Sequence, residues 1–345
     1  MVSEREMFEV FGPTTLSPVD WNFFDHRRSI AACLVQATYI LEADREEKRE
    51  GDQALAPPWW KFFNFRLRQL LIDDADNSIF GAIYEHPQNS SNIPRFVIAF
   101  RGTITKGDAV SRDIQLDVNY LQNCLHRSTR TEIATRAVKN MVSSAGTSNI
   151  WLTGHSLGSA IAMVVGKKIK LEMGVLLESF LFNPPFMSAP IERIKDKNVK
   201  HGIRIAASVI TAGLAIANQA RQPQLQHQAR SDDSFNNLSA WMPHLFVNPH
   251  DDICSEYIGY FEHRKKMEDI GVGSIEKLAT QHSLGGLLRS ALGKGTVSEP
   301  PVHLLPSANL IVNRSHTPDF KFAHGIHQWW IPNLDLQHKK YRYAS

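Results

Sequence analysis

The sequence holds 345 residues, 43% hydrophobic and 21% charged, a balance that supports a large folded core and excludes a disordered chain. The formal charge is only +3 and basic runs such as 193–204 and 263–266 are interrupted, so no nucleic-acid-binding face is expected. The first 30 residues carry scattered charges (Glu4, Arg5, Glu6, Glu9, Asp20) with no apolar run, and Cys33, Cys124 and Cys254 lie far apart, which points away from a secretory signal and a disulfide framework and towards a cytoplasmic protein.

In chain order, the stretch to about Glu50 reads as mainly helical. Ile30, Leu34, Ala37, Tyr39 and Ile40 precede a charged run over 42–50, and Pro57-Pro58-Trp59-Trp60 breaks the helix. Residues 65–72 and 78–84 flank a turn-like Asp73-Asp74-Ala75-Asp76-Asn77 and predict a hairpin. Residues 95–100 (RFVIAF) form an almost continuous apolar run, the pattern of a strand covered on both faces, and end in Arg101-Gly102-Thr103. Residues 108–121 and 129–144 have helical spacing. A short apolar strand over 149–153 leads into a small-residue helix from about Ser156, and further apolar runs follow at 175–183, 245–248 and Ala308–Asn313.

This alternation predicts an α/β fold with a mainly parallel sheet flanked by helices. Helical-looking stretches at about 190–240 and 266–295 interrupt the rhythm and predict a helical cap or insertion. The domain reading is a helical N-terminal extension over 1–60 packed on the core, then one α/β domain over 61–345. The segment 203–217 (IRIAASVITAGLAIA) is too short to cross a bilayer, and its many alanines suit a buried core helix better than an acyl-lining or membrane-touching one.

The strongest chemical signal is Gly154-His155-Ser156-Leu157-Gly158. It directly follows an apolar strand and opens a helix, the strand–turn–helix setting of a nucleophile elbow, in which the serine Oγ projects above the sheet. Side chains two residues either side of the serine would collide with neighbouring backbone, hence Gly154 and Gly158. The turn also puts the Leu157 N–H at a helix start, where it can donate to an oxyanion. A second donor is expected from another strand end, and Thr103 offers its N–H and its hydroxyl there.

A serine nucleophile needs a base and an acid to orient it, in the chain order nucleophile, acid, histidine. Residues 245–247 lead into Asn248-Pro249-His250-Asp251-Asp252, which leaves two adjacent aspartates as candidates. The tail offers His316, His324, His327 and His338, of which His324 and His327, in Ala323-His324-Gly325-Ile326-His327, both follow the last predicted strand after a loop. A metal site built on His324-x-x-His327 lacks the further ligands it would need, so neither metal nor cofactor is expected.

At these residues the chain resembles the class 3 lipase family, which includes the fungal triacylglycerol lipases, and within it the plant lipase-like α/β-hydrolases. Three blocks carry the likeness in order: FVIAFRGT, WLTGHSLGSAIA, and LFVNPHDDIC with the later AHGIHQWW. The resemblance implies an α/β-hydrolase fold, Ser156 as nucleophile, and Thr103 and Leu157 as oxyanion donors. It implies Asp251 as the acid, by matching Ile253 to the valine of the family's Asp-x-Val-Pro-like turn. Cys254 replaces the proline, which keeps Asp252 as the alternate. It favours His324 as base, with His327 the alternate. Residues 110–120 occupy the place of the fungal lid helix but carry Arg112, Asp113 and Asp117. The implied function is hydrolysis of a carboxylic ester, a lipid or acyl ester, with at most transient contact with a membrane surface. The rival readings are a lipase-like protein that binds or signals without catalysis, and an acyltransferase or thioesterase using the same three residues.

Overall fold

In the strand Phe96–Phe100, Phe96, Ile98 and Phe100 pack into one core while Val97 and Ala99 pack into another. Successive strand side chains point to opposite faces, so a run apolar at every position is buried on both. The computed structural model describes residues 3–88, 90, 92–104, 128–146, 149–186, 204, 236–270 and 303–343.

One eight-stranded sheet runs in sequence order: β1 (Arg66–Ile72), β2 (Ile79–Glu85), β3 (Phe96–Phe100), β4 (Ile150–His155), β5 (Glu178–Phe182), β6 (His244–Val247), β7 (Ala308–Asn313) and β8 (Leu336–Tyr341). From β3 to β7 neighbours are parallel. The β1–β2 hairpin, its pairing with β3, and the β7–β8 pairing are antiparallel. One face is covered by α1 (Phe24–Glu47), the other by α2 (Thr129–Ala145), α3 (Leu157–Met173) and α4 (Glu256–Asp269). This is the α/β-hydrolase arrangement, a mostly parallel sheet between helical layers.

Helix α1 runs on to Glu47 through the charged run, in line with the helical reading of the stretch to about Glu50, and two of its acids are buried and partnered. Glu42 accepts from the Ile79 N–H at 2.8 Å and from Arg45 at 2.8 Å, and the Asp44 carboxylate accepts from the Leu55 and Ala56 N–H groups at 3.0 Å. Two elements were not expected from sequence. Helix α4 starts at Glu256, directly after the acidic loop. Strand β8 had no apolar alternation to announce it, since Leu336–Tyr341 is an edge strand bearing His338, Lys339 and Lys340, and charge on an edge discourages pairing with other chains.

Residues 105–127, 187–203, 205–235 and 271–302 lie outside the described residues. With them go the readings of residues 108–121 and 203–217, the lid-position segment 110–120, Cys124 and most of both predicted insertions. No helix among the described residues is long and apolar enough to cross a membrane.

Candidate active site

The carboxyl ends of β3, β4 and β6 and the segment after β7 carry the residues singled out by motif. β4 ends at His155 and α3 begins at Leu157, leaving Ser156 alone in the turn at φ 53°, ψ −125°. A side chain rarely adopts that conformation, which costs about 1–3 kcal/mol and persists only where surrounding contacts enforce it. Here they do: the Ser156 N–H donates to the Phe182 carbonyl at 3.0 Å, and the Ser156 carbonyl accepts from the Ser159 and Ala160 N–H groups of α3. A Cβ on Gly158 would lie 2.3 Å from the Phe100 carbonyl oxygen, and one on Gly154 2.4 Å from that of Gly158. Neither distance is survivable, so both positions require glycine.

Ser156, His324 and Asp251 form one hydrogen-bonded file. His324 Nε2 lies 3.1 Å from Ser156 Oγ, and His324 Nδ1 lies 3.0 Å from Asp251 Oδ2. Both ring nitrogens of His324 are thus taken, and the file contains His324 and Asp251 but neither His327 nor Asp252. His327 instead packs edge-on against Phe11 and Phe322. His316 and His338 are not in the file either; His338 sits on β8, edge-on to Phe24.

Asp251 is fully buried, yet it receives more than the histidine. Its Oδ2 accepts from Asn183 Nδ2 at 2.6 Å and from the Cys254 thiol at 3.1 Å, and its Oδ1 accepts from the Ile253 N–H at 3.0 Å. Burial by itself would raise this carboxyl, but the His324 imidazole and these donors outweigh it and hold it below the usual carboxylate range. Cys254, where a proline was expected, therefore acts as one more donor. Burial and the adjacent Asp251 push its thiol well up, so it keeps the proton it donates.

Thr103 follows Gly102, whose added Cβ would stand 2.9 Å from Ser156 Cβ, so this segment lies against Ser156. Arg101 Nη1 donates to the Gly102 carbonyl at 2.8 Å. That carbonyl and the Thr103 N–H are opposite ends of one planar peptide, so pinning the first sets the direction of the second. Leu157 opens α3, and its N–H, in the first helical turn, has no acceptor within the helix. Among the described residues no group of three or more His, Cys, Asp or Glu side chains is arranged to hold a metal.

Two residues of this site escaped the sequence reading. Asn183, at φ 48° just past β5, donates to Asp251 and to the Ala323 carbonyl at 2.9 Å, and its Oδ1 accepts from Trp329 Nε1 at 2.6 Å. It thereby ties the acid loop to the histidine loop; its position at a strand's carboxyl end was the available signal. Tyr39 of α1 contacts His155 and Gly102, and nothing distinguished it in sequence from a packing residue.

Two buried imidazoles here make the fold acid-sensitive. Burial, followed by the charge of His324, lowers His155 to about 3, and burial, followed by Arg5, lowers His327 to about 4. An unfolded chain takes up these protons near the ordinary value of 6.5. Below that pH only the unfolded state binds them, so stability falls as pH drops from 6.5 towards 4, by about 1.4 kcal/mol per group per pH unit. Urea denaturation should therefore find the protein weaker by about 3 kcal/mol at pH 5.5 than at pH 7.5. Equal midpoints at the two pH values would mean that both rings protonate inside the fold.

Comparison with known proteins places the chain in context. A family model described as lipase (class 3) matches residues 92–176, which span β3, the Arg101-Gly102-Thr103 segment and the whole elbow. A protein of Arabidopsis thaliana named GDSL esterase/lipase is 54% identical, with 99% of each chain covered. The tetrapeptide of that name does not occur in this sequence, whose elbow reads Gly154-His155-Ser156-Leu157. Among solved structures, the lipase from Rhizopus microsporus var. chinensis gives a TM-score of 0.35 at 13% identity, covering 66% of this chain and 67% of its own. Carboxyl esterase 2 from the mycorrhizal fungus Tuber melanosporum gives 0.32 at 15% identity, covering 61% and 74%.

Proposed function

We propose, from the premise that this chain belongs to the class 3 lipase family and is a carboxylic ester hydrolase, that it works through a Ser156–His324–Asp251 triad and an acyl-enzyme, on lipid or other acyl esters. The observation that carries the reading is the unbroken file from Ser156 Oγ through His324 to the buried Asp251.

In this reading His324 Nε2 takes the proton of Ser156 Oγ as that oxygen bonds to the ester carbonyl carbon. The π electrons move to the carbonyl oxygen, whose charge is taken up by the N–H groups of Leu157 and Thr103. Asp251 stays ionised, holds the Nδ1–H tautomer of His324 and stabilises the imidazolium. The C–O bond to the alcohol breaks, and the alcohol leaves with the proton from His324. Water then attacks the acyl-serine, giving its proton to His324, and Ser156 regains a proton as the acid departs. The proton transfers run along Ser156, His324 and Asp251, which already form a hydrogen-bonded file. The cell compartment we propose is the cytoplasm, supported by the wide spacing of Cys33, Cys124 and Cys254, which suits a reducing compartment.

The test is covalent. A fluorophosphonate should add one phosphonyl group to the peptide that contains Ser156, as read by mass spectrometry of a digest, and the labelled protein should no longer hydrolyse p-nitrophenyl butyrate. Turnover that survives complete labelling would place the chemistry elsewhere, and a protein that neither labels nor turns over the ester would favour a lipase-like binding protein.

A further inference from the structure

The helix α1 lies outside every motif discussed so far, yet Tyr39 on its inner face reaches the reaction centre. Tyr39 Oη lies 2.9 Å from His155 Nδ1 and accepts the Gly102 N–H at 2.7 Å. His155 Nε2 lies 2.6 Å from the main-chain carbonyl of His324. A carbonyl only accepts, so His155 Nε2 carries the proton. Burial keeps the ring neutral, so Nδ1 is a bare acceptor and the Tyr39 hydroxyl must donate to it. The phenol itself is held well above its ordinary range by burial and does not ionise. Every proton in this chain is thereby assigned: Gly102 N–H to Tyr39 Oη, Tyr39 O–H to His155 Nδ1, His155 Nε2–H to the His324 carbonyl.

We infer that Tyr39 and His155 are positioning residues which register the oxyanion segment against the loop of the catalytic histidine. The inference rests on the triad reading above. One end of the relay holds the amide that precedes the Gly102–Thr103 peptide, while Arg101 holds that peptide's carbonyl. The other end holds the main chain of His324 itself. The donor for the developing oxyanion and the base that creates it come from strand ends on either side of β4. Without a link, each would drift independently, and misplacement by a fraction of an ångström is felt more in the transition state than in substrate binding. The relay passes through the elbow residue beside the nucleophile, so all three parts share one frame. It also explains why a polar, ring-bearing residue occupies position 155, where burial would favour an apolar one.

Tyr39→Phe keeps the ring and its packing and deletes only the hydroxyl. With active sites counted by fluorophosphonate titration, this variant should lower kcat for p-nitrophenyl butyrate about tenfold and leave KM within about twofold. A merely structural tyrosine would lower the melting temperature and the number of titratable sites but leave kcat per site unchanged, and that result would overturn the inference. The coupling is read by a double-mutant cycle. Tyr39→Phe with His155→Asn should be no worse than His155→Asn alone, whereas losses that multiply would mean the two residues act separately. A wild-type protein without turnover would count against the triad reading rather than the relay. In that case, the nitrogen resonances of 15N-histidine-labelled protein still report it: Tyr39→Phe should shift the His155 Nδ1 signal, and an unmoved spectrum would sink the relay.

Discussion

Ser156→Ala and His324→Ala are each expected to lower kcat for a short p-nitrophenyl ester by about 10⁶-fold, and the double variant by no more than either alone. Ser156 Oγ and His324 Nε2, 3.1 Å apart, act as one unit, in which the nucleophile has no use without the base that takes its proton. Oxyanion donors and binding remain in all three variants, so a residual rate of about 10³–10⁴-fold above water should persist in each. His327→Ala is the informative comparison. Its ring packs on Phe11 and Phe322 rather than facing Ser156, so turnover per titrated site should stay within about threefold of the parent. A collapse of kcat in His327→Ala with His324→Ala left active would reverse the assignment of the base. Steady-state turnover of the same ester per mole of folded protein puts the four variants and the parent on a common scale.

Asp251→Asn should cost about 10⁴-fold in kcat with little change in KM. The substitution is nearly isosteric, but an amide at this position can present its NH₂ group to His324 Nδ1 and so favour the wrong tautomer. It also removes the charge that stabilises the imidazolium. Either orientation of the amide is penalised in this fully buried site: with its NH₂ at the Oδ2 place it opposes Asn183 Nδ2 and the Cys254 thiol and gives His324 Nδ1 a donor, and with its oxygen there the NH₂ faces the Ile253 N–H. Asp252→Asn, one residue on, should retain nearly full kcat. If Asp252→Asn is instead the crippled variant, the acid has been misassigned.

Much of the fold could be read from the chain because its strands are short, apolar and separated by helices. Burial on both faces removes polar residues from β3 altogether and opens β4 with Ile150-Trp151-Leu152, so both stand out as runs. Elements at the margins were harder. Strand β8 exposes one face and one edge, so its sequence obeys solvent rather than a core. The extent of α1 was legible but the role of its acids was not, because Glu42 and Asp44 look like surface charges until Ile79, Arg45, Leu55 and Ala56 are seen to surround them.

The candidate site divides in the same way. Ser156, Gly154 and Gly158 were legible because a local steric demand, a strained φ of 53° with backbone within 2.4 Å of each missing Cβ, writes itself into five consecutive residues. Sequence narrowed the acid to Asp251 or Asp252 and the base to His324 or His327, and could go no further on spacing. Which member of each pair meets the other depends on loops from β6 and β7 that approach across the sheet, and distance across a sheet leaves no periodic trace in the chain. Tyr39 lay beyond sequence for that reason, and Asn183 was marked only by its place at a strand's carboxyl end. Their hydrogen bonds join residues separated by 63 to 146 positions, and only the folded chain brings such partners within 3 Å.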